Sequence, residues 1–315
     1  LMPRRTATAL SWGDTSLQSQ NTPLFGALKA QGITLEGISV DGATATVRIA
    51  NLRYPAEAQA LGRTVRILAN HLPADVTVFR VESTVNGVTT SRTTLRRSDL
   101  EDLEYDLEGS WRSFARADFE DAPRTEAEPV AGIYPKFDWR ITPYLDPALF
   151  DPDAPVRADI GIQAAASYTP MRGLVFSGAV RKPVVGNLDQ STRPSNSVLP
   201  HVRTDVTEYT KQSDFQIKHL TAEYFFRPGN NLYGRVTAGY LETMYGGASA
   251  ELLWAPVNSP LALGVEVNYA KQRNFDQLFG FQDYEVATGH ASAYYDFGKG
   301  YIGQIDVGRY LAGDY

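Results

Sequence analysis

From residue 134 onward the chain alternates polar and apolar residues, segment after segment. Leu261, Leu263, Val265, Val267 and Tyr269 form an unbroken apolar row, and Ala262, Gly264, Glu266 and Asn268 lie between them. The same period of two runs through Ile160 to Tyr168, Val236 to Tyr240, Ala248 to Trp254 and Ala287 to Phe297. Successive side chains of a strand point to opposite faces, so each segment reads as a β-strand with one apolar and one polar face.

A soluble sandwich alternates too, so the connections carry the distinction. The pattern predicts nine strands, at 136–145, 158–169, 173–183, 214–227, 232–242, 247–256, 261–271, 284–297 and 300–310. Most approach the ~9–11 residues that a tilted strand needs to cross a bilayer. Tight turns at 169–173, 227–231, 256–260 and 297–300 alternate with longer connections at 146–157, 184–213 and 272–283, with 243–246 short on the long side. Short turns on one rim and long loops on the other are the habit of outer-membrane barrels, whose turns lie in the periplasm. A mean hydropathy of -0.27 is compatible with this reading, because the two faces cancel strand by strand, and no apolar run approaches the ~18 residues of a membrane helix. Of 35 aromatic residues, 27 lie after position 130, among them 15 of the 17 Tyr. Trp139, Tyr144, Tyr168, Phe225, Phe226, Tyr233, Tyr240, Trp254, Tyr269 and Tyr295 fall near strand ends, as interfacial girdles require. Bacterial single-chain barrels have even strand numbers, which predicts at least one further strand beyond Tyr315.

The first part is different. Thr22-Pro23 opens a helix to Gln31, with Leu24, Phe25 and Leu28 on one face. Strands 33–40 and 43–49 flank Asp41-Gly42, a hairpin signal. A helix follows from Pro55, with Ala58, Leu61, Val65 and Leu68 at helical spacing, and then two strands around Asn86-Gly87. The predicted order is α-β-β-α-β-β, and the acidic stretch 99–108 reads as a solvated helix face. The division is a periplasmic α+β domain over 1–122, a linker over 123–133 and a barrel portion over 134–315. The expected fold class is mainly β: an antiparallel outer-membrane β-barrel, incomplete in this chain, preceded by the small α+β domain. Tracing the alternation backwards places residues 1–130 in the periplasm.

The sequence contains no Cys, which excludes thiolate metal sites, a Cys nucleophile and disulfides. The four His, at 71, 201, 219 and 290, show no metal spacing, and no phosphate loop, dinucleotide fingerprint or nucleophile elbow is present. No cofactor or metal is expected. The net charge of -6 is spread evenly, with no basic half to announce nucleic acid. Arg235, Glu251, Glu266, His290, Asp296 and Asp306 fall on the polar faces, as do Tyr233 and Tyr294, and these eight are the candidates for lining a lumen and touching a glycan. Rings beside polar groups suit sugars, whose apolar faces stack while their hydroxyls need partners. Two carboxylates such as Glu251 and Glu266 could instead flank a glycosidic bond. A solvated lumen balanced by Arg181 or Arg235 is the simpler reading, and no catalytic residue is assigned.

The run Leu232-Tyr-Gly-Arg-Val-Thr-Ala-Gly-Tyr-Leu-Glu-Thr-Met-Tyr-Gly-Gly-Ala-Ser-Ala-Glu-Leu-Leu-Trp254, with Ala262 to Asp276 and Tyr284 to His290, resembles the YjbH family of exopolysaccharide-biosynthesis outer-membrane proteins, relatives of capsule-assembly barrels. Ser195 to Arg203, Val307 to Asp314 and, in the first part, Arg53-Tyr54, Ala58-Gln59-Ala60 and Gly62-Arg63 extend the resemblance. It implies a Gram-negative outer-membrane protein, not an enzyme, acting in production, assembly or export of an extracellular polysaccharide. Its implied partners are the polysaccharide, outer-membrane lipids and periplasmic or lipoprotein components of the same system. A general porin for small solutes and a glycan-processing enzyme stay open as alternatives.

Overall fold

The computed structural model describes residues 17–122, 127–149, 154–191 and 195–315, so part of the 123–133 stretch lies outside the described residues. The chain divides into two compact units. One is Leu1–Tyr134 with Gly229–Asn231 and Pro256–Ser259; the other holds Pro135–Pro228, Leu232–Ala255 and Pro260–Tyr315.

The first unit is α+β. Helix α1 (Pro23–Ala30) starts where Thr22 Oγ1 accepts a hydrogen bond from Phe25 N, and its Leu24, Phe25 and Leu28 are buried. Strands β1 (Ile33–Asp41) and β2 (Thr44–Asn51) pair antiparallel; α2 (Glu57–His71) then crosses over to β3 (Val78–Val85), which runs parallel to β2. Asn86 and Gly87, both at positive φ, turn β3 into β4 (Val88–Arg96), the hairpin that their sequence announces. The chain then adds α3 (Arg97–Asp102), α4 (Gly109–Arg116) and β5 (Asp118–Asp121), which extend the predicted order and complete a five-stranded sheet β1-β2-β3-β4-β5.

The core lies between the helices and one sheet face: Leu28, Ile38, Val47, Ile49, Leu68 and Phe79 are almost wholly buried. The opposite face buries polar groups in pairs, Arg92 Nη2 lying 2.7 Å from Glu82 Oε1. Residues 127–133 pack against β1, with Ala127, Val130 and Ile133 buried and Pro129 bridged to Gly37.

The second unit is one antiparallel meander of nine strands: β6 (Lys136–Leu149), β7 (Val156–Met171), β8 (Leu174–Gly186), β9 (Gln216–Gly229), β10 (Leu232–Tyr240), β11 (Tyr245–Trp254), β12 (Leu261–Arg273), β13 (Phe281–Gly298) and β14 (Tyr301–Arg309). Each predicted strand is present, in the predicted order. The protein is thus mainly β, with an open sheet whose edges are β6 and β14; no strand pairing among the described residues closes it.

Two expectations are corrected. The connections 146–157 and 272–283 shrink to 150–155 and 274–280, because pairing continues outward through Leu145–Ile160, Pro147–Ala158 and Leu149–Val156 in the first case and to Arg273–Phe281 in the second. Pro143 and Pro147 are compatible with a strand there because β6 is an edge. The asymmetry of the rims is therefore carried chiefly by the segment 187–215, which holds a short 3₁₀ turn and α5 (Val206–Gln212). The girdle assignment also loses members. Tyr144, paired with Gly161, and Tyr233, paired with Leu253, share the face of Gln163 and Glu251, because side-chain direction follows parity and not nearness to a strand end.

The burial of the two faces is inverted relative to a water-soluble sheet. Along β12 the apolar residues are outward, Leu263 at 45%, Val265 at 54% and Val267 at 62% exposure, while Gly264, Glu266 and Asn268 between them are more covered. The row continues sideways through Trp254–Leu263–Ala293–Ile305 and Leu252–Val265–Ala291–Val307. From Leu261 to Tyr269 it covers about 27 Å along the strand at ~3.4 Å per residue. Lys271 and Glu285, 3.7 Å apart, follow just beyond Tyr269.

Candidate functional site

The polar face gathers the residues singled out in the sequence. The register places Arg235, Glu251, Glu266 and His290 side by side in one row across β10, β11, β12 and β13. Directly opposed side chains lie ~4.5–5.5 Å apart at Cβ, so four consecutive strands build one continuous polar strip. Arg235 Nη2 is 2.8 Å from Glu251 Oε2. Glu266 makes no ion pair among the described residues; Asn268 donates to its Oε1, and Asn268 also donates to Thr288 Oγ1 at 3.2 Å. The His290 ring rests 4.8 Å from that of Tyr310.

Tyr233 and Asp306 occupy the ends of the neighbouring row, Tyr233–Leu253–Gly264–Ser292–Asp306. Asp306 accepts from Ser292 Oγ and from Gln304 Nε2, and the Arg227 guanidinium lies 5.3 Å over the Tyr233 ring. Tyr294, paired with Ala262, lies against Gly264, where an added Cβ would come within 3.6 Å of its ring. Asp296 is separate. It sits at the β13–β14 turn, where its Oδ1 accepts from Gly298 N at 2.7 Å. A second cluster occupies the same face on β6 to β8: Arg181 donates to Gln163 at 2.7 Å, lies 3.4 Å from Asp146 and covers the Tyr144 ring at 4.6 Å. Among the described residues, no three His, Asp or Glu side chains group closely enough to hold a metal ion.

Sequence reasoning missed the structure at the long-connection rim. Tyr209 of α5 is buried against Met244, Tyr245, Ala270 and Val286. Tyr245 and Ala270 share the parity of Ser249 and Asn268, so α5 folds back onto the polar face. Arg273, fully buried, holds this packing: it donates to Ile217 O at 2.8 Å, Glu242 O and Gln277 O at 2.6 Å each, and Leu278 O at 3.2 Å, while its own carbonyl accepts from Tyr209 Oη at 2.6 Å. Gln277 Nε2 in turn donates to Tyr209 O at 2.9 Å. Burial pushes the Tyr209 phenol up from its ordinary range, since the anion would lose hydration. A lone Arg at a strand end and one Tyr in a polar loop carry no periodicity; only the folded chain brings them together.

This is the arrangement of an amphipathic antiparallel meander whose polar face is furnished with charged, amide and aromatic groups and partly covered by a loop helix. The chain belongs to the YjbH family: the family model described as "Exopolysaccharide biosynthesis protein YbjH" matches residues 3–315. It is also 32% identical over 300 residues to "Uncharacterized lipoprotein YjbH" of Escherichia coli (strain K12), covering 90% of this chain and 42% of that protein. The chain thus spans less than half the length of that relative. No solved structure matches it.

Proposed function

We propose that the nine-stranded sheet is part of an outer-membrane β-barrel that assists assembly or export of an exopolysaccharide, its apolar face against lipid and its polar face lining a lumen that the glycan contacts. The observation that carries this reading is the inversion along β12, where Val265 and Val267 are exposed and Glu266 is the more covered. Exposed apolar surface of this extent is unfavourable in water and expected in a bilayer. In this reading the α+β unit, which precedes β6, lies in the periplasm. The name of the Escherichia coli relative, a lipoprotein, is in keeping with an envelope location.

The role read here is passage or retention rather than bond cleavage, with Glu251 tied to Arg235 as an ion pair of the lining. The docking of α5 onto the polar face favours a restricted lumen over an open pore for small solutes. The test is complementation of a deletion strain. The unaltered gene and Glu266→Gln restore secreted exopolysaccharide and place the protein in the outer-membrane fraction, whereas Val265→Arg lowers both. Unchanged secretion after deletion, or recovery of the protein with the soluble fraction, overturns the proposal.

A further inference from the structure

On the helix-covered side of the five-stranded sheet, a trough of about 1110 Å³ separates α2 from the α3–α4 pair. Ala58, Gly62 and Val65 of α2 and Leu95 of β4 line its base, and a Cβ added at Gly62 would meet nothing within 4 Å. One wall is aromatic. The Trp111 and Phe114 rings stack with centroids 6.2 Å apart and planes 24° apart, and Phe114 lies 4.9 Å from Phe119. Trp111 is 69% exposed.

The facing edge is polar: Gln59, Arg66 and Asn70 recur at helical spacing along α2, while Glu104 and Asp106 line the α3–α4 side, Asp106 held by Arg112. Arg66 has no hydrogen bond or ion pair among the described residues. The neighbouring cations are engaged, Arg63 donating to Gln31 Oε1 at 2.9 Å, Arg112 pairing with Asp106 and Arg116 with Asp99 at 2.8 Å.

An apolar helix or an acyl chain would bury such a trough but would leave Arg66 and the two amides without partners, at a cost in desolvation. A pyranose chain meets both walls. Its C–H faces stack on Trp111 and Phe114, its hydroxyls reach the amides, and a ring carboxylate takes the guanidinium in a charge-assisted, bidentate contact. We propose that this trough is a binding site for an acidic polysaccharide segment, with Trp111 and Phe114 as the stacking platform and Arg66 as the carboxylate ligand. It rests on a glycan being handled by this protein, as read above, and not on the sheet lying in a membrane.

The test uses the whole protein in detergent, titrated calorimetrically with an oligogalacturonate and with a maltooligosaccharide of equal length. The oligogalacturonate is expected to bind at least about tenfold more tightly. Arg66→Gln abolishes that preference, while Trp111→Ala and the trough-filling Gly62→Leu weaken both ligands by about tenfold or more, with thermal unfolding showing each variant folded. Binding of neither oligosaccharide, binding indifferent to Trp111→Ala and Gly62→Leu, or a preference that survives Arg66→Gln overturns the site. Oligosaccharide binding that persists when Val265→Arg has abolished export separates this site from the membrane reading of the sheet. The reverse result, export intact with no binding, removes the trough alone.

Discussion

Arg235 and Glu251 face each other across β10 and β11 with 2.8 Å between Nη2 and Oε2, and Glu266 and His290 prolong the same row on the next two strands. The cation thus satisfies one of two adjacent carboxylates and leaves the second to an amide, Asn268. Both members of the pair are about one-third exposed, so its coupling is modest. A double-mutant cycle of Arg235→Ala and Glu251→Ala on denaturant stability should give about 0.2–1 kcal/mol. A coupling of several kcal/mol would mean that the polar face is far drier than its exposure indicates.

Val265 distinguishes lipid from water. In water, an exposed Val replaced by Arg changes stability by no more than about 0.5 kcal/mol; against hydrocarbon near mid-bilayer the same change costs ~2–4 kcal/mol. Val265→Arg should therefore lower the amount of folded protein in the membrane fraction, while Lys271→Arg, just beyond the apolar band, should leave it unchanged. Equal yields of the two variants would place the apolar face in water.

Arg273 should govern the loop helix. Replacing it with Met removes the donor to four carbonyls, those of Ile217 and Gln277 buried and those of Glu242 and Leu278 partly so, which should cost about 3 kcal/mol locally. Limited proteolysis should then cut within 187–215 much faster than in the unaltered protein. Arg273→Lys should rescue little, since an ammonium cannot fan out to the same four acceptors.

The same packing predicts a pH dependence. Tyr209 is raised in the folded state by burial, so the folded protein holds that proton more tightly than the unfolded chain does. Its stabilising contribution is complete below the unfolded value of about 10 and is lost as pH rises through the folded value. Hydrogen exchange in α5 should accelerate above about pH 10 in the native sequence. Tyr209→Phe should be about 1 kcal/mol weaker at neutral pH, from the lost bond to Arg273 O, and should lose less protection across the alkaline range than the native sequence does.

Gly62 lies inside α2, and its Cβ position is open. Gly62→Ala should raise the stability of the α+β unit by about 1 kcal/mol, read as an upward shift in its thermal midpoint.

The strands were legible because period two survives any tertiary context that keeps one face apolar, and the polar placement of Arg235, Glu251, Glu266, His290, Asp306 and Tyr294 followed from parity alone. Strand ends were less legible: Leu145 to Leu149 stay in the sheet because β7 continues to pair with them, which local turn residues do not reveal. The acidic stretch 99–108 read as one helix face is helical only in α3, which ends at Asp102, and α4 escaped because it is short and polar, with Trp111 and Phe114 left outside the core.

The sequence by itself determined which residues share a face, since that depends only on the geometry of an extended backbone. Tertiary structure decided which of them meet. Register across four strands set Arg235 beside Glu251 and Glu266 beside His290, and the closure of long loops brought Tyr209 to Arg273 and opened the trough beside Arg66. Such contacts join residues whose sequence separation carries no periodic trace, and they form only when the burial of distant surfaces outweighs the entropy of bringing them together.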